Sequence, residues 1–495
     1  MPPQRLRSPA PSREIPRAAE APRGFWDVFT FKGRVDWPVV VVAAILNLVV
    51  LINAIWHHPK IGYDVVENLS YIQVLTRRLP RATDTGEFFS PPLPFVLPAL
   101  FDRVCEKFDT RHFEPFDDFY ISWTCRTYDG KLEQALNVLL SIGTTIALLK
   151  LCQQIRPDSR FLKLSSLALL GNLTVYYKTF SQVRGEPWVV FFTLLSLYLV
   201  GLLLRASSFS WRPVIWVGIS LGALILSRQW GFFIFPPLAL LAAMLFVHDR
   251  SRGWLMARRF ASSSMIGLLI GAFFYVHLYR DYGTATAFNI DRPVYPSTEK
   301  AIKLLRRTHL RNSELFGEPI RPAFRGSVFP ILYSETFGDY WGYFTYIKPN
   351  SSYGVNGYST SPEFIRYLGR VNLASIPVAL MLAGGVALCL WELGALLLRR
   401  RVRDELLALV CLTALCMLLG FGWFIYSYVL QSELVLKASY ALQGLVVLTL
   451  PAGMLLDRIG ERAPVALYAL LAVLAVVFLH NLPAMITHYN VFAFW

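Results

Sequence analysis

The chain has 495 residues, of which 55% are hydrophobic and only 16% charged, with a mean hydropathy of +0.44. That balance excludes an ordinary soluble domain and implies a polytopic membrane protein. The formal charge of +15 does not make it a nucleic-acid binder, because the basic residues are spread over many connections between apolar runs instead of gathering in one patch.

Residues 1–37 carry Arg5, Arg7, Arg13, Arg17 and Arg23 among prolines, and no small-residue cleavage site follows the first apolar run. They read as a disordered basic cytoplasmic arm. Several later runs approach the ~20 residues that cross a bilayer as a helix, and no ~10-residue alternation of a membrane barrel is present. Apolar windows predict spans near 38–55, 133–151, 162–177, 188–204, 213–227, 231–247, 261–279, 371–398, 406–428, 441–456 and 464–481. The expected fold is all-α, with about eleven and at most thirteen transmembrane helices. It divides into a transmembrane core, 38–279, holding a first long loop, 56–131; a second long loop, 280–370; and C-terminal helices, 371–495.

Short connections set the orientation. Lys150, Arg156, Arg160 and Lys163 fall in one, Arg205 and Arg212 in the next of that side, then Arg250, Arg252, Arg258 and Arg259, then Arg399 to Arg403, then Arg458 and Arg462. The alternate connections carry only Lys178, Arg184, Arg228 and Lys437. The positive-inside rule therefore puts the N-terminus in the cytoplasm and both long loops outside, and the expected location is a bacterial plasma membrane. The basic connections contain no glycine-rich phosphate cradle, so a donor bound as a cytosolic nucleotide is not expected. Cys152, Cys389, Cys411 and Cys416 lie in apolar runs as reduced thiols, whereas Cys105 and Cys125 share the first loop and can pair if that loop faces an oxidising compartment.

The outward segments hold the chemistry. Asp64 and Glu67 are three apart, so on a helical turn they share one face. Phe88 to Phe95 contains Pro91, Pro92 and Pro94, and Leu93 to Phe101 reads as an amphipathic helix at the membrane surface. Glu186 precedes Pro187 at a helix start, where the helix dipole favours a carboxylate. Arg228 stands between two short apolar spans with almost no loop to solvate it, and Lys437 is a lone cation entering a span from outside, so both call for an anionic partner. Basic sequence around Lys300 to Arg311, expected to be helical, leads to Glu335, Asp339, Tyr340 and Trp341, a mix of aromatic rings and acceptors that suits a sugar. Three Asn-x-Ser/Thr triplets, at Asn68, Asn172 and Asn350, carry no weight about source.

In order and sidedness, Gly62-Tyr-Asp64 with Ser90-Pro-Pro92, Val183-Arg-Gly-Glu-Pro187, Leu226-Ser-Arg-Gln229, Ser334 to Tyr343 and Lys437-Ala-Ser-Tyr440 resemble the GT-C superfamily of polytopic glycosyltransferases, which includes protein O-mannosyltransferases and the aminoarabinose transferases. The resemblance implies an inverting transfer from a polyprenyl-phosphate sugar at the outer face to a lipid, glycan or protein acceptor. It assigns Asp64 as general base, with Glu67 beside it. A leaving phosphate needs cations, and the candidates are Arg228, Lys437 and Arg184; Glu186, Glu335, Asp339, Tyr340, Trp341 and Tyr440 are the candidates for sugar or acceptor. Protein O-mannosyltransferases tend to carry an Asp-Glu pair here, whereas Val65 follows Asp64, which counts against a protein acceptor. No cofactor is required; a divalent ion, if used, would find oxygen ligands in Asp64 with Glu67 or Glu186, suited to magnesium or manganese. Two other readings stand beside this one: a transporter or lipid flippase, which would place ionisable residues at mid-bilayer depth, and a non-catalytic assembly subunit of the same fold.

Overall fold

The computed structural model describes residues 26–108, 124–289, 312–345 apart from 322 and 325, 348–349, 358–359, 362–399, 404–428 and 435–489. The basic arm up to residue 25, the stretch 300–311, Arg400 to Arg403 and the Asn350 triplet lie outside them. The helices are α1 (Trp37–Trp56), α2 (Val65–Leu75), α3 (Leu93–Cys105), α4 (Cys125–Ile155), α5 (Arg160–Gly171), α6 (Thr174–Ser181), α7 (Glu186–Arg205), α8 (Trp211–Ser227), α9 (Phe235–His248) and α10 (Arg250–Tyr282). They continue with α11 (Asn312–Gly317), α12 (Val328–Phe337), α13 (Pro362–Ala374), α14 (Ile376–Arg399), α15 (Glu405–Tyr428), α16 (Leu442–Arg462) and α17 (Pro464–Met485). Strand structure among the described residues is confined to two antiparallel ribbons, Thr30–Phe31 with Arg34–Val35 and Lys348–Pro349 with Tyr358–Ser359.

Nine segments among the described residues are long and apolar enough to cross a membrane, and α8 is a shorter apolar helix. The expectation of an all-α polytopic fold holds; beyond the short α8, the difference from eleven lies in the third predicted span. Residues 162–177 form no single helix. The chain turns at Asn172, whose Nδ2 donates to the carbonyls of Ala168 at 2.8 Å and Leu474 at 3.2 Å, while the Tyr177 hydroxyl donates to Gly171 O. A break of this kind is stable at membrane depth only where protein covers it. All eight residues of α6 are buried, so the condition is met. An apolar window cannot register the break, because apolarity continues across it.

The break redirects α6 toward one face of the bundle, where the long loops collect. On that face Lys131 Nζ donates to the carbonyls of Ala54, Ile55 and His57 at 2.8–2.9 Å, tying the end of α1 to the start of α4. Asn53 Nδ2 donates to Met485 O at 2.7 Å and its Oδ1 accepts from Thr487 N, so α1 also latches onto the end of α17. Helix α3 buries Phe95, Pro98 and Ala99 and exposes Val96, Leu97, Leu100 and Phe101, the two-sided pattern of an interfacial helix. A disulfide joins Cys105 at its end to Cys125 at the start of α4.

The opposite face carries ion pairs with partly exposed members: Arg156 with Asp457 and Glu461, Arg252 with Glu405, and Arg458 with Glu392. Residues 26–36, expected within the disordered arm, are folded against this face. The cause is Lys163, buried and donating to Val28 O at 2.8 Å and Thr30 O at 3.2 Å, with Arg160 paired to Asp36 at 2.9 Å.

Candidate functional site

Asp64 stands at a turn that few residues tolerate. Its φ of 55° is left-handed, a conformation in which Asp and Asn are the least penalised side chains after Gly. Gly62, at φ 148°, precedes it, and a Cβ there would meet Val65 Cγ2 at 2.7 Å. The turn starts α2, with Asn68 N donating to Asp64 O at 2.8 Å, and swings the carboxylate away from the helix. Its Oδ2 lies 2.5 Å from Lys437 Nζ, and the side chain keeps 28% of its surface exposed. Burial pushes the carboxyl up, but Lys437 beside it, with Arg184 and Arg228 further off, holds it below the usual carboxylate range.

Around this pair lies a buried network. Arg184 Nε pairs with Glu186 Oε2 at 2.7 Å. Arg228 lies 3.4 Å from the other Glu186 oxygen and pairs with Glu87 at 2.8 Å, and it also donates to Ser90 Oγ, which bonds Glu87 at 2.5 Å. Two carboxylates and two guanidinium groups are thus interlocked beside the Asp64–Lys437 pair. Burial raises the Glu87 carboxyl, with Arg228 opposing it. The Arg184 guanidinium lies 5.3 Å from the Tyr63 ring and 5.8 Å from the Tyr440 ring, and Lys437 Nζ lies 5.4 Å and 5.5 Å from the same two rings. Arg184 is 1% exposed, yet its Nη1 and Nη2 have no hydrogen-bond partner among the described residues. Buried donors left unpaired are costly, and these two nitrogens are free to meet an acceptor.

A cavity of about 240 Å³ opens beside Arg228. Apart from Ser90, Arg228, Gln229 and Thr286, its walls are mostly aromatic, including Trp230, Phe288, Phe424, Tyr428 and Tyr440. It therefore has a charged head and an apolar body.

Asp64, Arg184, Glu186, Arg228, Lys437 and Tyr440 are brought together as the sequence suggests. Glu67 is not among them: its carboxylate accepts from Thr85 Oγ1 at 2.8 Å and Gly86 N at 2.6 Å, fastening α2 to the next turn. Glu335, Asp339, Tyr340 and Trp341 stand behind the site. Glu335 pairs with Lys178 at 2.6 Å and accepts from the Tyr63 hydroxyl, while Asp339 Oδ2 accepts from Phe344 N, Thr345 N and Thr345 Oγ1. Tyr340 stacks on Phe324 with ring centroids 5.0 Å apart, and Trp341 Nε1 donates to Leu436 O. Both rings are at most 1% exposed, so they form core and offer no wall to a sugar. Sequence reasoning missed Glu87, Ser90 and Tyr63 at the site and Lys178 behind it. Lys178 had a signal, a cation on the sparsely charged side; Glu87 had none beyond its place three residues before Ser90.

The carboxylates named as possible ligands of a divalent ion have other partners among the described residues. The carboxylates expected as ligands already face Lys437, Arg184, Arg228 or backbone amides, and no group of three metal-ligating side chains occurs among the described residues.

No protein-family model and no curated protein matches the sequence. Among solved structures, the Archaeoglobus fulgidus oligosaccharyltransferase in its apo form is similar at 13% identity and a TM-score of 0.46, over 91% of this chain and 55% of that one. The chain thus spans about half the length of that protein. The same archaeal enzyme, AglB, solved with an inhibitory peptide and a dolichol-phosphate, gives 12% identity and 0.45 over 91% and 56%. ArnT from Cupriavidus metallidurans bound to undecaprenyl phosphate gives 12% and 0.36 over 87% and 80%.

Proposed function

We propose that the chain is an inverting glycosyltransferase that moves a sugar from a polyprenyl-phosphate donor to an acceptor hydroxyl at the extracytoplasmic membrane face. The observation that carries this reading is the buried Arg184 guanidinium with two unpaired nitrogens, set between the partly exposed Asp64 carboxylate and an aromatic cavity headed by Arg228. Such a site suits an amphiphile with one anionic group joining an apolar tail to a polar head. The tail lies along Trp230, Phe424 and Tyr428, and the phosphate meets Arg184 and Arg228. Asp64 takes the proton of the acceptor hydroxyl as its oxygen attacks the anomeric carbon. The bond from that carbon to the phosphate oxygen breaks, and its electron pair leaves with the polyprenyl phosphate, stabilised by the two guanidinium groups.

Two features support an outward site. The Cys105–Cys125 disulfide lies on the same face and suits an oxidising compartment, and the opposite face gathers Arg156, Arg160, Lys163, Arg252 and Arg458. The test is transfer or release of labelled sugar from a panel of polyprenyl-phosphate sugars by purified protein with membrane-extract acceptors, wild type against Asp64→Asn. Turnover of one donor, lost in Asp64→Asn while donor binding persists, is the expected result. Absence of binding and turnover across the panel overturns the reading.

A further inference from the structure

A base is weakened by a cation that holds it, and Asp64 is held by Lys437 at 2.5 Å. The same lysine has little else to bind: its remaining polar contact is the Tyr440 hydroxyl at 3.4 Å. Arg228, by contrast, is fixed by Glu87, Glu186 and Ser90. Arg184 is fixed at Nε alone and keeps its two unpaired nitrogens near the same pair of rings, Tyr63 and Tyr440, that Lys437 faces. An anion accepting from the Arg184 nitrogens therefore comes within reach of the flexible lysine stem.

We infer that Lys437 changes partner during the reaction: the donor phosphate, seated on Arg184, draws the ammonium off Asp64, so that the base is set free only in a donor-loaded site. The inference rests on the reading of the site as a polyprenyl-phosphate transferase and adds an order of events to it. Before donor binding, Asp64 is ionised and neutralised by Lys437, a poor proton acceptor. After binding, the lysine neutralises the phosphate, Asp64 regains basicity, and an acceptor hydroxyl is activated only when there is a sugar to receive it. The groups that face Asp64 are Lys437, Arg184, Arg228, Glu87, Tyr63 and Tyr440. Of these, only the Lys437 and Asp64 pair is both close and partly exposed, so it is the one able to reorganise.

The test compares acid limbs of pH–rate profiles in the wild-type protein, using the donor identified by the sugar-release panel. The profile of kcat/KM for donor reports the donor-free site, and that of kcat/KM for acceptor at saturating donor reports the loaded one. A phosphodiester does not titrate in this window. Because a neighbouring cation lowers an Asp by about one to three pH units, the handover predicts an acid limb that much higher in the loaded enzyme. In Lys437→Met the two limbs draw together. Coincident limbs in the wild type overturn the inference, since Lys437 then stays on Asp64. An equal separation in wild type and Lys437→Met overturns it too, because the phosphate charge alone then moves Asp64. If Lys437→Met does not fold, Lys437→Gln takes its place, and coincident limbs in the wild type remain decisive. Failure of the transferase reading looks different: no donor turns over and there is no profile to record.

Discussion

Two charged clusters share the loop face, and Tyr63 touches both. Its hydroxyl donates to Glu335 in the cluster of Lys178, Glu335 and Asp339, and its ring faces Arg184 and Lys437 in the other. The first cluster is closed. Lys178, Glu335 and Asp339 are each at most 1% exposed, and Glu335 and Asp339 accept from backbone amides that fold the chain from Trp341 to Thr345. The second keeps one partly exposed carboxylate and a guanidinium with unpaired nitrogens. Both clusters are dense in charge; what separates them is the partly exposed Asp64 carboxylate and the two unpaired Arg184 nitrogens of the open one, against the backbone amides that hold Glu335 and Asp339 in the closed one.

That contrast can be broken at several points. The largest effect is expected at the open cluster, where Asp64→Asn, which keeps a side chain suited to the left-handed turn, lowers turnover by about 10²–10⁴-fold in the sugar-release assay. In the closed cluster Lys178→Met strands two buried carboxylates and costs about 3–5 kcal/mol, read as a fall in the thermal unfolding midpoint in detergent. Arg184→Lys preserves the charge facing Glu186 but removes the fork, so stability changes by less than about 1 kcal/mol while donor affinity falls about tenfold to a hundredfold, measured by lipid-phosphate binding. Glu67→Gln is the smallest: its carboxylate fastens a loop and faces no part of the cavity, so stability falls by about 0.5–1.5 kcal/mol with turnover nearly unchanged. A large loss of turnover in a well-folded Glu67→Gln protein would erase the distinction between the two roles.

Much of the architecture was legible because a membrane span needs ~20 apolar residues and little else. Asn172 escaped that logic: one amide, paired with Ala168 and Leu474, ends a helix inside an apolar run and turns Lys178 toward Glu335. Within the site, Arg184, Arg228 and Lys437 were visible as cations on the sparsely charged side. Their partners were not, because Asp64 and Lys437 are 373 positions apart and nothing local to either names the other. Glu87 sits in a polar loop that reads as solvated, and only the fold brings Arg228 onto it. Tyr340 and Trp341 misled in the other direction. Aromatic density marks a buried core as readily as a sugar platform, and here Phe324 and Leu436 cover the rings.

The latch between α1 and α17 bears on how the protein is made. Asn53 crosses into the bilayer early in synthesis, while its partner carbonyl on Met485 emerges 432 residues later. Until then the amide has no protein acceptor from α17, in an environment where an unpaired polar group is costly. Vectorial insertion therefore leaves this latch of the loop face open until α17 has been made.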